Sequence, residues 1–385
     1  MKLAYLSNAK LPSREANSIH VMKMCQALGQ LGHEVTLIAP DVRDGLATGV
    51  TDPYNFYGVK QCFKLRRVPW RRVKGRGWIY GFEAGWLARR LGVDAAFGRC
   101  LHACAVAARL GVPTSWDAHM PSFLGRRNER WVFNWMIAAP AFRMMMTNCD
   151  SLRRVVLADV PQLEDRILAA HNGADILSEG IEPTDLGATN DRLQVGYVGH
   201  LYKGKGFELI RELAVQAPWA EFHIVGGEPE TVETLRNCPM LPTNIRLHGF
   251  VPPSETERLI LAFDVLLAPY QAEVKIAGGG ETAAWMSPLK LFAYMAAGKP
   301  ILCSDLPVLR EIIQDKRNGL LLPPHDAQAW ARALWNLMKS PAERQQLGRM
   351  AYADFLERHT WEQRARRASQ CLTESVAIAN HTTPS

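Results

Sequence analysis

Two stretches of this chain hold residue types whose spacing suits an anion. Gly196–Gly206 reads GYVGHLYKGKG, between an apolar strand-like run and a helix-like one. Gly199, Gly204 and Gly206 permit close backbone approach, and Lys203 and Lys205 carry positive charge. The N-terminus of the following helix adds free N–H groups and a partial positive charge, which suits a diphosphate. The same residues also fit an ordinary strand-to-helix turn with two solvated lysines. The segment matches neither a P-loop nor a GxGxxG turn. The second stretch, Gly278–Pro300, opens on three glycines and continues as ETAAWMSPLKLFAYMAAGKP. Ser287 has the position and chemistry of a helix N-cap, with Pro288 at the first helical position and Lys290 in the first turn. Gly298 marks the end of that helix. Two helix starts, near Gly206 and Pro288, could grip one pyrophosphate. A lone histidine, His119, follows a short strand in the context Asp117-Ala118-His119. It is either a ligand-facing group or a satisfied structural residue.

These residues need elements to position them. Apolar runs at Lys2–Ser7, Glu34–Ala39, Gly111–Trp116, Leu193–Val198, Glu221–Val225, Ile245–Leu247, Val265–Ala268 and Pro300–Cys303 read as strands. Helical patterns separate them, among them Ile19–Leu31, Gly206–Ala217 and Leu289–Ala297. Strands alternating with helices predict parallel sheets covered on both faces, hence an α/β fold. Ligands of such sheets sit beyond the carboxyl ends of the strands. The segment 172–190 lacks periodicity and is rich in Gly, Asp, Thr and Pro, so it reads as a linker between a domain at 1–171 and one at 191–360. A last helix, 361–378, is expected to pack back on the first domain. Two doubly wound Rossmann-like domains facing across a cleft would hold two substrates, which suits group transfer.

Composition narrows the class. The chain has 385 residues, 48% apolar and 22% charged, as in ordinary globular proteins. No apolar run approaches the ~18–20 residues of a spanning helix. The first residues, MKLAYLS, are too short an apolar run for a signal peptide. The eight cysteines are scattered without a CxxC pair, which argues against a disulfide framework or structural zinc. A reducing, cytoplasmic location is expected.

Four segments together carry a resemblance: HVMKMCQALGQLGHEVTLI from His20, NGAD at Asn172–Asp175, GYVGHLYKGKG, and SPLKLFAYMAAGKPIL from Ser287. Over nearly its whole length the chain resembles a family 4 glycosyltransferase of the GT-B fold. The resemblance implies transfer of a sugar from a UDP- or GDP-sugar with retention of anomeric configuration. It implies a C-terminal donor domain, an N-terminal acceptor domain, and no need of a metal. The chain has no Asp-x-Asp. Lys205 matches the lysine that neutralises the donor phosphates, and His200 stands where many members have arginine. Gly199, Met286, Ser287, Pro288, Leu289 and Lys290 match the segments facing the diphosphate. His119 matches a histidine close to the transferred sugar. Retaining attack by the acceptor hydroxyl on the face the diphosphate leaves is also implied, with the leaving phosphate taking the proton.

Two positions depart from the family pattern. Ala293 stands where the resemblance implies a glutamate that binds the ribose hydroxyls, and Trp285 where it implies an earlier one. Losing such a charged acceptor costs about 1.5–3 kcal/mol. Glu281, after the flexible glycines, could take the contact with the transferred sugar, or be a solvated loop carboxylate. Ala293 is either a replacement made to weaken the enzyme or a natural variant with altered ribose recognition. A sugar-nucleotide epimerase of similar fold and a non-catalytic sugar-binding relative are the competing functions.

The net charge of +7 lies wholly in residues 1–190, which hold 24 Lys/Arg against 17 Asp/Glu. Seven cations fall in Lys64–Arg76, KLRRVPWRRVKGR, with Trp70 among them and Arg66, Arg67, Arg71 and Arg72 in pairs. Arg126 and Arg127, with Arg130 and Trp131, form a smaller group. Cations interleaved with tryptophan suit an anionic membrane surface and a lipid-linked or glycan acceptor. An ordinary solvated loop has the same composition. No nucleic-acid motif accompanies the charge, so nucleic acid is not expected as a partner.

Overall fold

The computed structural model describes residues 1–42, 46–47, 49–71, 73–187, 192–274 and 282–381. The chain divides into two compact units. Unit 1 holds 1–171 and 361–385, and unit 2 holds 172–360.

Unit 1 is built on a seven-stranded parallel sheet. Its strands are β1 (Lys2–Leu6), β2 (Glu34–Asp41), β3 (Lys64–Pro69), β4 (Ala95–Gly98), β5 (Thr114–Ala118), β6 (Phe142–Thr147) and β7 (Ile167–Ala169). Their order is β3-β2-β1-β4-β5-β6-β7. The order reverses between β1 and β4, which makes that the switch point where such sheets bind ligands. Strands β4 and β5 are buried along their whole length. That follows from helices covering both faces.

Unit 2 repeats the plan with β8 (Leu193–Val198), β9 (Ala220–Val225), β10 (Ile245–Gly249), β11 (Val265–Ala268), β12 (Ile301–Ser304) and β13 (Leu320–Leu322). The order is β10-β9-β8-β11-β12-β13, so its switch point lies between β8 and β11. Trp330, Leu334 and Leu337 from the helix Ala327–Lys339 close the core beneath β8 and β9.

The strands β4, β6, β7 and β13 were not expected from the sequence, and three further details differ from that reading. The expected strand Gly111–Trp116 begins three residues later, at Thr114. Gly111 takes a left-handed φ of 81°, and Val112 N–H still donates to Ala107 of the preceding helix. The turn therefore consumes the first residues and carries Asp117 into the strand. Lys64–Pro69 is not a loop but the edge strand β3, paired with Thr36–Asp41. Ser287 does not cap the helix Leu289–Ala296. Pro288 occupies the cap position without a side-chain bond, and the Ser287 hydroxyl accepts the Asn172 N–H at 2.9 Å. The Asn172 amide in turn donates to the Ser287 carbonyl at 2.7 Å, tying the start of unit 2 to this turn.

The loop after β8 depends on one glycine. Gly206 has φ 92°, and a Cβ there would lie 1.9 Å from the Pro269 carbonyl oxygen. Both the left-handed backbone and the close approach exclude a side chain. Gly206→Ala is expected to destabilise the protein by more than about 2 kcal/mol, read as a lowered thermal midpoint. An unchanged midpoint would show that this loop is not packed as described.

Candidate functional site

Unit 2 gathers charge at its switch point. Strand β8 ends at Val198, and Gly199 N–H donates to Val225 at 2.8 Å. The chain then turns through Lys205 into the helix Phe207–Gln216. From the other side, Lys290 enters from the first turn of the helix Leu289–Ala296. Its Nζ lies 3.6 Å from the centre of the Tyr197 ring and 5.2 Å from that of Tyr270. Lys205 Nζ lies at 5.2 Å from the same Tyr270 ring. A Cβ on Gly199 would sit 2.8 Å from Lys290 Nζ, so glycine is what leaves the ammonium its space. Tyr294 holds the strand end by accepting the Val198 N–H at 2.8 Å.

The electrostatics of this pair are unusual. Lys290 Nζ is buried and makes no hydrogen bond among the described residues. Burial pushes its pKa well below the ordinary lysine value, and the Lys205 charge pushes it further down. Burial also lowers Lys205, to about 8. Ring faces offset part of the desolvation, since a cation over an aromatic face gains about 0.5–2 kcal/mol. Two neighbouring lysines that make no ion pair among the described residues fit an anionic ligand carrying more than one charge.

Around them, Met286 and Ser287 are buried, and Pro288, Leu289 and Ala293 are half-buried. The methyl of Ala293 offers a hydroxyl no acceptor. The His200 ring stacks on Tyr202 at 4.9 Å, with Nδ1 3.7 Å from Glu228. Glu281 and the three preceding glycines lie outside the described residues.

Unit 1 places His119 just past the end of β5, beside three groups that the sequence did not single out. Asp117 is fully buried, and each of its oxygens is engaged. Oδ2 lies 3.1 Å from His20 Nε2. Oδ1 accepts from Arg364 at 2.7 Å and lies 3.2 Å from His119 Nε2. Arg364 is 1% exposed and comes from the last helix, Trp361–His381. It also donates to the carbonyls of Ala170 and His171. The His20 ring meets those of His119 and Trp361 edge-on, at 4.7 and 5.3 Å. Burial alone would raise the Asp117 pKa. The Arg364 guanidinium, then His119 and His20, hold it well below the usual carboxylate range instead. Burial lowers both histidines, His119 to about 4 and His20 well below its ordinary value. The only signals for this cluster were His20 in the HVMKM run and Asp117 two residues before His119.

His20, Asp117 and His119 have the ligand types of a metal site. The surroundings argue otherwise. Arg364 occupies one carboxylate oxygen, and Arg99 adds a second positive charge that acts on His119. A divalent cation would face both.

The basic segments are surface features of unit 1. Arg66, Arg67, Arg71, Arg126 and Arg127 are exposed, Trp70 is half-buried, and Arg72 lies outside the described residues. Arg67 donates to the Leu11 carbonyl, and Arg71 pairs with Glu83. Beside the second group the tertiary structure gathers three tryptophan rings. Trp131 stacks on Trp135 at 5.8 Å, and Trp78 meets Trp131 at 5.6 Å. Trp131, Phe82 and Trp86 are exposed.

Comparison with known proteins follows the division into units. The family described as Glycosyltransferase Family 4 matches residues 18–176. The family described as Glycosyl transferases group 1 matches residues 192–340. A D-inositol 3-phosphate glycosyltransferase of Mycobacteroides abscessus is 25% identical over 291 residues, covering 69% of this chain and 58% of its own. The amylovoran biosynthesis glycosyltransferase AmsK of Erwinia amylovora is 30% identical over 175 residues, covering 43% and 42%. The chain thus spans about half the length of these relatives. Among solved structures, the sucrose-phosphate synthase of Thermosynechococcus elongatus superposes with a TM-score of 0.73 at 16% identity, covering 98% and 99% of the two chains. Anabaena HepE in complex with UDP gives 0.72 at 15% identity, covering 97% and 100%.

The lysine pair generates a prediction with two opposed readouts. Lys290→Met removes a buried, unbonded ammonium and keeps most of its volume. The ligand-free protein is expected to gain about 1–3 kcal/mol of stability, the usual cost of an unsatisfied buried polar group. Affinity for inorganic pyrophosphate, read by calorimetry, is expected to fall at the same time. A variant that is less stable and binds pyrophosphate equally well would sink the assignment.

Proposed function

Because this chain belongs to the family 4 glycosyltransferases of the GT-B fold, we propose that it moves a sugar from a nucleotide sugar to an acceptor hydroxyl. The observation that carries the reading is the pair Lys205 and Lys290 at the unit 2 switch point, half-buried and buried at its ammonium respectively, with no ion pair among the described residues. A diphosphate supplies the negative charge that this pair lacks. In transfer, negative charge grows on the departing diphosphate, and fixed positive groups stabilise it. Lys205 and Lys290 would do this directly, and the helix beginning at Leu289 adds its partial positive end. We propose UDP- or GDP-sugar as donor, with UDP favoured because Anabaena HepE is described in complex with UDP. Retention of configuration is proposed from the family resemblance. His119 would lie against a sugar, and Glu281, outside the described residues, would touch the transferred one. No metal is assigned a role.

The acceptor is proposed to be a glycan or a lipid-linked glycan. Support comes from AmsK, named for amylovoran biosynthesis, and from the charge of unit 1. No helix among the described residues is long and apolar enough to cross a membrane. The exposed arginines and the rings of Trp131, Phe82 and Trp86 offer instead a face for an anionic membrane surface, and the protein would work from the cytoplasmic side. Ala293 favours a second reading, a relative whose donor site no longer supports catalysis.

A panel of nucleotide sugars with and without acceptor tests these readings. Sugar transfer that requires an acceptor supports a transferase, and a new sugar nucleotide formed without one supports an epimerase. Ala293→Glu is expected to tighten donor binding ten- to hundredfold, as a regained charged acceptor for ribose should. If neither form binds any nucleotide diphosphate, the donor assignment is wrong.

The membrane face has its own test. Arg66 and Arg127 are exposed and make no ion pair among the described residues. At about 1 kcal/mol each, replacing both by Ser should weaken binding to vesicles rich in phosphatidylserine roughly thirtyfold. Equal binding of both proteins would remove the membrane from the proposal.

A further inference from the structure

The groups around Asp117 determine more than a position for His119. An ionised carboxylate has no proton to give, so each nitrogen facing it must carry one. His20 Nε2 faces Oδ2 at 3.1 Å, and His119 Nε2 faces Oδ1 at 3.2 Å. The second contact is poorly aligned as a hydrogen bond, and Nε2 is otherwise unpartnered and buried. The choice of tautomer does not rest on alignment. A bare Nε2 lone pair at 3.2 Å from a carboxylate oxygen would be repelled, whereas an N–H dipole is attracted. Arg364 keeps the carboxylate ionised. Arg99 opposes a second proton on the ring. His119 is 11% exposed along its side chain, and its buried nitrogen is Nε2. The open part of the ring is therefore the part remote from Asp117.

We infer that Asp117 is a positioning residue that locks His119 in the Nε2–H tautomer, so that Nδ1 is presented as a hydrogen-bond acceptor for a sugar hydroxyl. Arg364 completes the device from the far end of the chain. The ring then acts as a neutral acceptor rather than as a cation drawn to phosphate. The sugar as ligand rests on the proposed transferase function, whereas the tautomer rests on the geometry alone. A neutral, correctly oriented imidazole beside a buried aspartate is the arrangement by which a carboxylate controls a catalytic histidine elsewhere.

The first experiment needs no activity. Two-bond 1H–15N correlation spectra of the full chain at pH 7, assigned with His119→Gln and His20→Gln, distinguish the two tautomers and the imidazolium. Nε2–H at both rings is expected. Nδ1–H or a doubly protonated His119 would overturn the inference even if the protein transfers sugar. Nε2–H in a protein that transfers none would leave it standing and reject the transferase reading. The second experiment is Asp117→Leu, which is close to the carboxylate in shape but accepts no hydrogen bond from Nε2. Loss of the pure Nε2–H signature at His119 and at least about a tenfold fall in kcat/KM are expected, with free UDP binding unchanged. A raised KM for the donor would place the hydroxyl on the transferred sugar, and a raised KM for the acceptor would place it there. An unchanged tautomer and unchanged kinetics would overturn the assignment. If Asp117→Leu does not fold, Arg364→Lys, which keeps the charge, is expected to retain both tautomer and activity; loss of the Nε2–H signature there would count against the inference.

Discussion

The contact between Asp117 and Arg364 joins parts of the chain 247 residues apart, and much of unit 1 depends on it. Both side chains are almost fully buried, so neither charge can be left without the other. Breaking such a pair from one side costs about 3–5 kcal/mol, because the remaining charge stays out of water. Arg364 also donates to the carbonyls of Ala170 and His171, where the chain leaves unit 1. One guanidinium thus secures the departing chain, the returning helix and the carboxylate that faces two histidines. Ala365, Ala368 and Leu372 pack the same helix into the unit, and His33 bonds Ser369 at 2.7 Å.

Unit 2 shows the opposite economy. Where unit 1 balances its buried charge internally, unit 2 leaves two lysines without a counter-charge among the described residues. The cost appears as ammonium groups pushed toward neutrality. The aromatic faces of Tyr197 and Tyr270 reduce that cost without removing the affinity for an anion. Glycine at 199 keeps the space open. A site that is unfavourable when empty gains more when filled. The same charge spread over solvated side chains, as at Arg66 or Arg127, would give weaker and less directional binding.

A good part of this was legible in the chain itself. Alternating apolar runs and helical patterns gave the parallel sheets, because a strand covered on both faces has to be apolar throughout. The glycines at 199, 204 and 206 marked the loop after β8, because only glycine tolerates those backbone angles and approaches. Lys205 and Lys290 stood out as cations in turns at helix starts. Ser287 misled. Its type and spacing are those of a cap, yet its hydroxyl serves Asn172, a partner 115 residues away that no local rule can supply.

The sequence by itself determined the periodicity, the turns and the family pattern, all of which are set by neighbours within a few residues. Only the tertiary structure decided which charges meet. Arg364 read only as part of a terminal helix, and Asp117 as a residue just past a short strand. Their pairing follows from the return of the last helix to the first unit. Trp78 likewise belongs to one helix and Trp131 and Trp135 to another, and the three rings met only on packing. Burial is the physical reason in each case. It strengthens a charge contact and fixes a proton's place on a ring, and it is a property of the folded surroundings rather than of the residue.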